Sequence, residues 1–255
     1  MSLRTQPNIL IALPTYNHAV HIDFALALAR TLRALNDAGV RYETIHAASS
    51  HIIRARNFFA NYFLSHDEFT HLLFLDTDMD FSREAPLRLI AGDKPVAGVA
   101  YPHRQFDHGR VITQADVGLS LRDWLEKNVD YTAALQTNEA GDGFVKDGWA
   151  EVRHVGTGLL LIRRDAFEAV VPLTQLYRAP SQYASLLTDG RFYGFFDTVA
   201  DEGVYLSEDL SFCQRVRAAG LPVWALIDET VVHHGSSAIS GQYLRALQMR
   251  GHVGG

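Results

Sequence analysis

Three acids, Asp76, Asp78 and Asp80, fall within five residues in the segment FLDTDMDF, directly after the apolar run LLFL. Alternate residues of an extended chain share a face, so these carboxylates converge. At about 4 Å and an effective dielectric near 20, one such pair costs roughly 4 kcal/mol. A divalent cation offsets that cost and also binds phosphate oxygens. The plain alternative, that the acids cap a turn or face water, weighs most for Asp80. The spacing therefore points to a site for Mn2+ or Mg2+ on these acids and leaves open which of Asp76, Asp78 and Asp80 ligate it.

Other residues carry chemistry that fits beside such a cation. SEDLSFC places Glu208 and Asp209 at the start of a predicted helix. Acids are favoured there by the helix end alone. The functional reading is that Asp209 acts as a general base towards an acceptor hydroxyl while Glu208 orients the acceptor. VHHG supplies His233 and His234; His234 is read as the imidazole that completes the cation's coordination, and His233 as structural. Arg54 and Arg56, two apart in HIIRARNFF, do not share a helix face, so one can reach a phosphate while the other contacts structure. GTG at 156–158 offers Thr157 to a hydroxyl and glycines that let the backbone approach closely, although a plain turn explains it nearly as well.

The elements that would position these groups alternate. NILIALPTYN reads as a strand stopped at Pro14, with Asn17 capping a helix that runs from about Ala19 to Asn36. A strand at about Tyr42–Ala47, the helix HIIRARNFFANYFL and the buried strand HLLFLD follow. This βαβαβ order predicts an α/β fold with a mostly parallel central sheet flanked by helices. Ligands of such sheets collect beyond the strands' carboxyl ends, where Pro14, Thr15, Tyr16, Asn17, Asp76, Thr77, Asp78 and, after PVAGVAYP, Tyr101 would lie. Further strands are expected at Arg110–Gln114 and Gly158–Arg163, and helices at Arg83–Ala91, Leu121–Asn128 and through SEDLSFCQRVRAAG. The whole chain, 1–255, reads as one domain, with 103–148 as an acceptor-side insertion forming a small lobe and 244–255 as a tail.

Composition narrows the class of function. A net charge of -6 gives little long-range attraction for nucleic acid, so phosphates must be met locally. The lone Cys213 excludes an intrachain disulfide and a thiolate cluster. No run reaches the 18 or so apolar residues of a membrane span, and the start is too quickly polar for a secretion signal. The cytoplasm is the expected compartment, and peripheral membrane contact is left open.

The ordered set PTYN, RARN, FLDTD, GTG, SED and HHG resembles the GT-A class of glycosyltransferases, family 2-like enzymes in particular, and ARN with LLFLDTD is similar to fungal mannosyltransferases. The resemblance runs from about Ile9 to His234 and leaves 103–148 unmatched. It implies a GT-A fold, a UDP- or GDP-linked sugar as donor, a carbohydrate or other hydroxyl acceptor, and inversion at the anomeric carbon. On that pattern Thr15 and Tyr16 sit at the base, Asp76 contacts ribose or metal-bound water, Asp78 and His234 hold manganese, and Asp209 is the base. Three alternatives stand beside it: a sugar-phosphate nucleotidyltransferase, a haloacid-dehalogenase-type phosphatase that would use Asp76 as nucleophile, and a non-catalytic carbohydrate-binding protein stacking sugars on FYGFF and Trp149.

Overall fold

The computed structural model describes residues 6–104, 113, 116–138, 143–235 and 238–253. Strand β1 (Asn8–Thr15) leads through an exposed loop into α1 (Ile22–Asp37), then β2 (Arg41–Ala48), α2 (Ile52–Leu64), β3 (His71–Leu75) and a two-residue β4 (Met79–Asp80). Helix α3 (Glu84–Gly92), β5 (Val96–Val99), α4 (Leu121–Asn128), β6 (Ala133–Leu135), β7 (Val145–Lys146), β8 (Trp149–Val155), β9 (Leu159–Arg163) and α5 (Arg164–Val170) follow. The last part holds β10 (Leu176–Arg178), β11 (Arg191–Tyr193), β12 (Ala200–Asp201), β13 (Val204–Tyr205), α6 (Glu208–Ala218), β14 (Val223–Leu226), β15 (Thr230–His233), β16 (Ile239–Gln242) and α7 (Tyr243–Met249).

The main sheet runs β2-β1-β3-β9-β5-β14-β8-β6, with β7 on β8. Strands β2, β1 and β3 are parallel, as are β5 and β14, but β9 lies antiparallel between β3 and β5, and β8 antiparallel to β14. The expected mostly parallel sheet is thus a mixed one. The period-2 pattern sorts its residues to two faces: Leu10, Ala12, Leu72 and Phe74 pack with α2, α5 and α6, while Ile9, Ile11, Leu73 and Leu75 pack with α1 and α3. A central sheet with helices on both faces is a Rossmannoid arrangement.

Several boundaries differ from the sequence reading for local reasons. Helix α1 starts at Ile22, not Ala19: residues 16–20 are exposed loop, and His21 rather than Asn17 caps it, its side chain accepting from the Asp23 N–H at 3.3 Å. Asn17 instead accepts from the Ala19 N–H within the loop. Residues 244–249, read as tail, continue α7, which buries Tyr243, Ala246 and Leu247 and is tied to α4 by Arg245 bonding Asp123 and Glu126. Within the expected insertion, β6 and β7 extend the main sheet through β8. The expected strand at Arg110–Gln114 lies outside the described residues, Thr113 excepted.

No helix among the described residues is long and apolar enough to cross a membrane. Cys213 is buried in α6, where its thiol contacts the Val155 carbonyl and burial pushes it up to about 12, so it is chemically quiet.

Candidate active site

Strands β1, β3 and β5 end at one rim, and beyond it opens a cleft of about 1120 Å³ lined by Pro14, Thr15, Tyr16, Arg56, Asp76, Thr77, Asp78, Tyr101, Thr157, Glu208, Asp209, His233 and His234. Most of the residues singled out in the sequence therefore meet in one place. Asn17 and Arg54 do not line it; both are exposed, Asn17 in the loop and Arg54 on the outer face of α2.

The counter-charges to the three acids are guanidinium groups. Arg56, with only 3% of its side chain exposed, makes a bidentate pair with Asp76 at 3.1 and 3.0 Å and reaches Glu208 from Nε at 3.4 Å. Burial disfavours its charge, but Asp76 and Glu208 outweigh that and hold it firmly protonated. Arg104 donates to Asp78 at 2.8 Å, and Arg30 to Asp80 at 2.7 Å. Asp80 pairs in β4 with Val232 of β15 and does not line the cleft. Arg56 lines the cleft with its guanidinium engaged by Asp76 and Glu208. Arg104, 58% exposed and lining the cleft, is the cation sequence reasoning missed; its position two residues after Pro102, where the segment PVAGVAYP ends, was the available signal.

The histidines also exchange places. His233 Nε2 lies 3.6 Å from Asp78, and its Nδ1 donates to the Pro102 carbonyl at 2.9 Å. Burial pushes the Asp78 carboxyl up, but His233 and Arg104 prevail and leave it below the usual carboxylate range. His234 stacks on His21 with ring centroids 3.7 Å apart and brings Nε2 to 3.4 Å from Asp23. Of the two histidines, His233 is thus the one paired with Asp78, and His234 the one paired with Asp23. His21, Asp23 and His234 form a group whose ligand atoms all lie within 4.8 Å of one another, a donor set able to coordinate a metal ion. His234 Nε2 is buried and makes no hydrogen bond of regular geometry, Asp23 at 3.4 Å being its nearest charged neighbour.

Opposite chemistry is held by α6. Burial pushes Glu208 above its ordinary value against the pull of Arg56. Asp209 accepts from Ser207 Oγ and from the Leu210 N–H, both at Oδ1, so Oδ2 is the oxygen left to take a proton. The GTG segment has a structural task. A Cβ on Gly158 would sit 2.7 Å from the Tyr101 ring and one on Gly156 2.5 Å from its hydroxyl, which accepts from the Gly158 N–H. Gly158 in turn accepts from the Asp76 N–H at 2.9 Å, so this close packing fixes the acid's backbone. Thr157 lines the cleft but is 2% exposed.

Asp76 is clamped by Arg56 rather than free as a nucleophile. Phe192, Phe195 and Phe196 of FYGFF are core residues, pinned to α2 by Asn57 and Asn61, and offer no sugar-stacking face.

No protein-family model matches the chain, and no curated protein matches it. Among solved structures, A197 from STIV is similar at 14% identity and TM-score 0.45, covering 89% of this chain and 86% of that one. A mutant of a Drosophila β-1,4-galactosyltransferase 7, in complex with manganese, UDP-Gal and xylobiose, is similar at 11% identity and TM-score 0.40, covering 96% and 73%. The inositol-1-phosphate CTP transferase from T. maritima is similar at 13% identity and TM-score 0.38, covering 98% and 99%. Likenesses this distant identify no family, and the side chains that line the cleft carry the functional reading.

Proposed function

We propose that this chain is a glycosyltransferase of the GT-A type, moving a sugar from a UDP- or GDP-linked donor to an acceptor hydroxyl with inversion. The observation that carries the reading is the cleft at the rim of β1, β3 and β5, which joins an exposed Tyr16, a cationic Arg104 beside the strand-end acids, and Asp209 on α6.

Each group has a part in the displacement. Tyr16, 75% exposed at the cleft, offers a stacking face to the base. Arg104 leaves Asp78 for the departing diphosphate, a better bidentate partner than one carboxylate oxygen. Asp209 Oδ2 takes the acceptor hydroxyl's proton as its oxygen bonds to the anomeric carbon and the bond to the diphosphate oxygen breaks. A divalent cation, Mn2+ or Mg2+, belongs to this reading and when bound would neutralise further charge on the leaving group. The buried Arg56, paired with Asp76 and Glu208, keeps the two walls of the cleft in register.

The test offers UDP- and GDP-sugars in turn, with manganese, and follows release of the nucleoside diphosphate. One donor should turn over, and Asp209→Asn should lower kcat by about 10²–10⁴ while the donor KM holds. Release from no donor, or an Asp209→Asn variant as active as the parent, would overturn the proposal.

A further inference from the structure

We infer that His21, Asp23 and His234 form a transition-metal site that binds its ion without nucleotide, and that the Asp78 carboxylate is not one of its ligands. Four observations converge on it, none of which uses the proposed reaction.

The first is spacing. Asp23 Oδ2 lies 3.5 Å from His21 Nδ1 and 3.4 Å from His234 Nε2. Hydrogen bonds to carboxylate oxygens favour about 2.7–2.9 Å, so both contacts are long for that purpose. Ligand atoms about 2.1 Å from a tetrahedral ion are separated by roughly 3.4 Å, close to these two separations; coordination would take His21 Nδ1 from the Asp23 N–H that it caps and turn its ring out of the stack on His234. The second is the orphaned His234 Nε2, buried and without a hydrogen-bond partner although aimed at this group. A metal supplies the missing partner.

The third is how the two imidazoles are placed. The His21 backbone N–H donates to the Thr77 carbonyl at 2.9 Å, and the His234 backbone N–H to the Asp78 carbonyl at 2.9 Å. The backbone of the acidic segment, not its side chains, brings the rings together. The fourth is that the three acids of that segment already have guanidinium partners, whereas this cluster has no arginine or lysine ion pair among the described residues.

Two imidazoles and one carboxylate suit a first-row transition metal such as cobalt, zinc or manganese over magnesium, which prefers an all-oxygen shell. His21 and His234 both line the cleft, so the ion's remaining positions face it and are open to a phosphate oxygen. Bound there, it would also tie the exposed 16–20 loop, through His21, to the end of β15.

The experiment titrates the full chain, stripped of metal, with Co2+, Zn2+, Mn2+ and Mg2+ separately, without nucleotide, by calorimetry and by the visible absorption of Co2+. One Co2+ per chain is expected, with Mg2+ far weaker. His21→Ala and Asp23→Asn should each weaken Co2+ by more than about a hundredfold, beyond the range set by outer-shell partners. Asp78→Asn should leave it within about twofold. Both His21 and Asp23 are substantially exposed, so their variants fold, which circular dichroism checks. No Co2+ binding, equal Mg2+ binding, unchanged binding in His21→Ala and Asp23→Asn, or loss in Asp78→Asn would each overturn the site. Because no nucleotide is present, a failed metal titration leaves the transferase reading standing, and a failed transferase assay leaves the site standing.

Discussion

Replacing Asp76 by Asn should unfold this protein more readily than its partly exposed position suggests. The substitution keeps the shape of the side chain and removes its charge. It leaves the Arg56 guanidinium, 3% exposed, with Glu208 at 3.4 Å as its remaining anionic partner. Breaking a buried ion pair from one side costs about 3–5 kcal/mol. Asp76 is 22% exposed, so water recovers part of that, and about 2–3 kcal/mol is expected. At about 2–4 °C per kcal/mol for a chain of this size, Tm falls by roughly 5–10 °C. Arg56→Met should also destabilise, since it strands Asp76 and Glu208 beside each other. The double variant should be more stable than the sum of the singles allows, by about 1–3 kcal/mol of coupling. Urea unfolding followed by tryptophan fluorescence and circular dichroism measures all four proteins. An Asp76→Asn variant as stable as the parent, or additive effects in the double, would show that this pair is not a structural tie.

Three further outcomes are expected of the same structure. Burial and the nearby Arg163 lower His71 from 6.5 to about 4, so the unfolded chain binds more protons between those values and stability falls as pH drops through that window; His71→Gln should remove up to about 3 kcal/mol of that loss, read by urea titrations at pH 7 and pH 4. Gly158→Ala puts a methyl 2.7 Å from the Tyr101 ring and should cost about 1–3 kcal/mol, with recovery in Gly158→Ala/Tyr101→Phe absent because the clash is with the ring as well as the hydroxyl. Arg104→Ala removes an exposed cation from the cleft and should weaken nucleoside diphosphate binding by about ten- to a hundredfold with little change in Tm, measured by calorimetry.

The strand ends and the acid-bearing loops are legible in the sequence because short-range signals set them. LLFL before Asp76, PTYN after the first strand and SED before the last long helix each mark where an element stops, and stopping points are where side chains of this sheet converge. Partner choice is not legible. Asp76, Asp78 and Asp80 take arginines 20, 26 and 50 residues away, and no local pattern announces pairings across that distance. The expectation of a cation on Asp78 did not foresee Arg104, which pairs with that carboxylate here. His21 and Asp23 stay hidden when the helix is taken to begin at Ala19, which places them inside a turn rather than at its cap; the short segment HID after an exposed loop is the signal. The direction of β9 is hidden for a different reason. An apolar run such as LLLI fits a buried strand of either sense, and only its neighbours β3 and β5 decide it.

Whether this cleft holds a nucleoside diphosphate is decided by titrating the purified chain with UDP and with GDP, each with and without Mn2+. One of the two is expected to bind saturably, more tightly with Mn2+ and more weakly in Arg104→Ala. Binding of neither nucleotide under any of these conditions would contradict it.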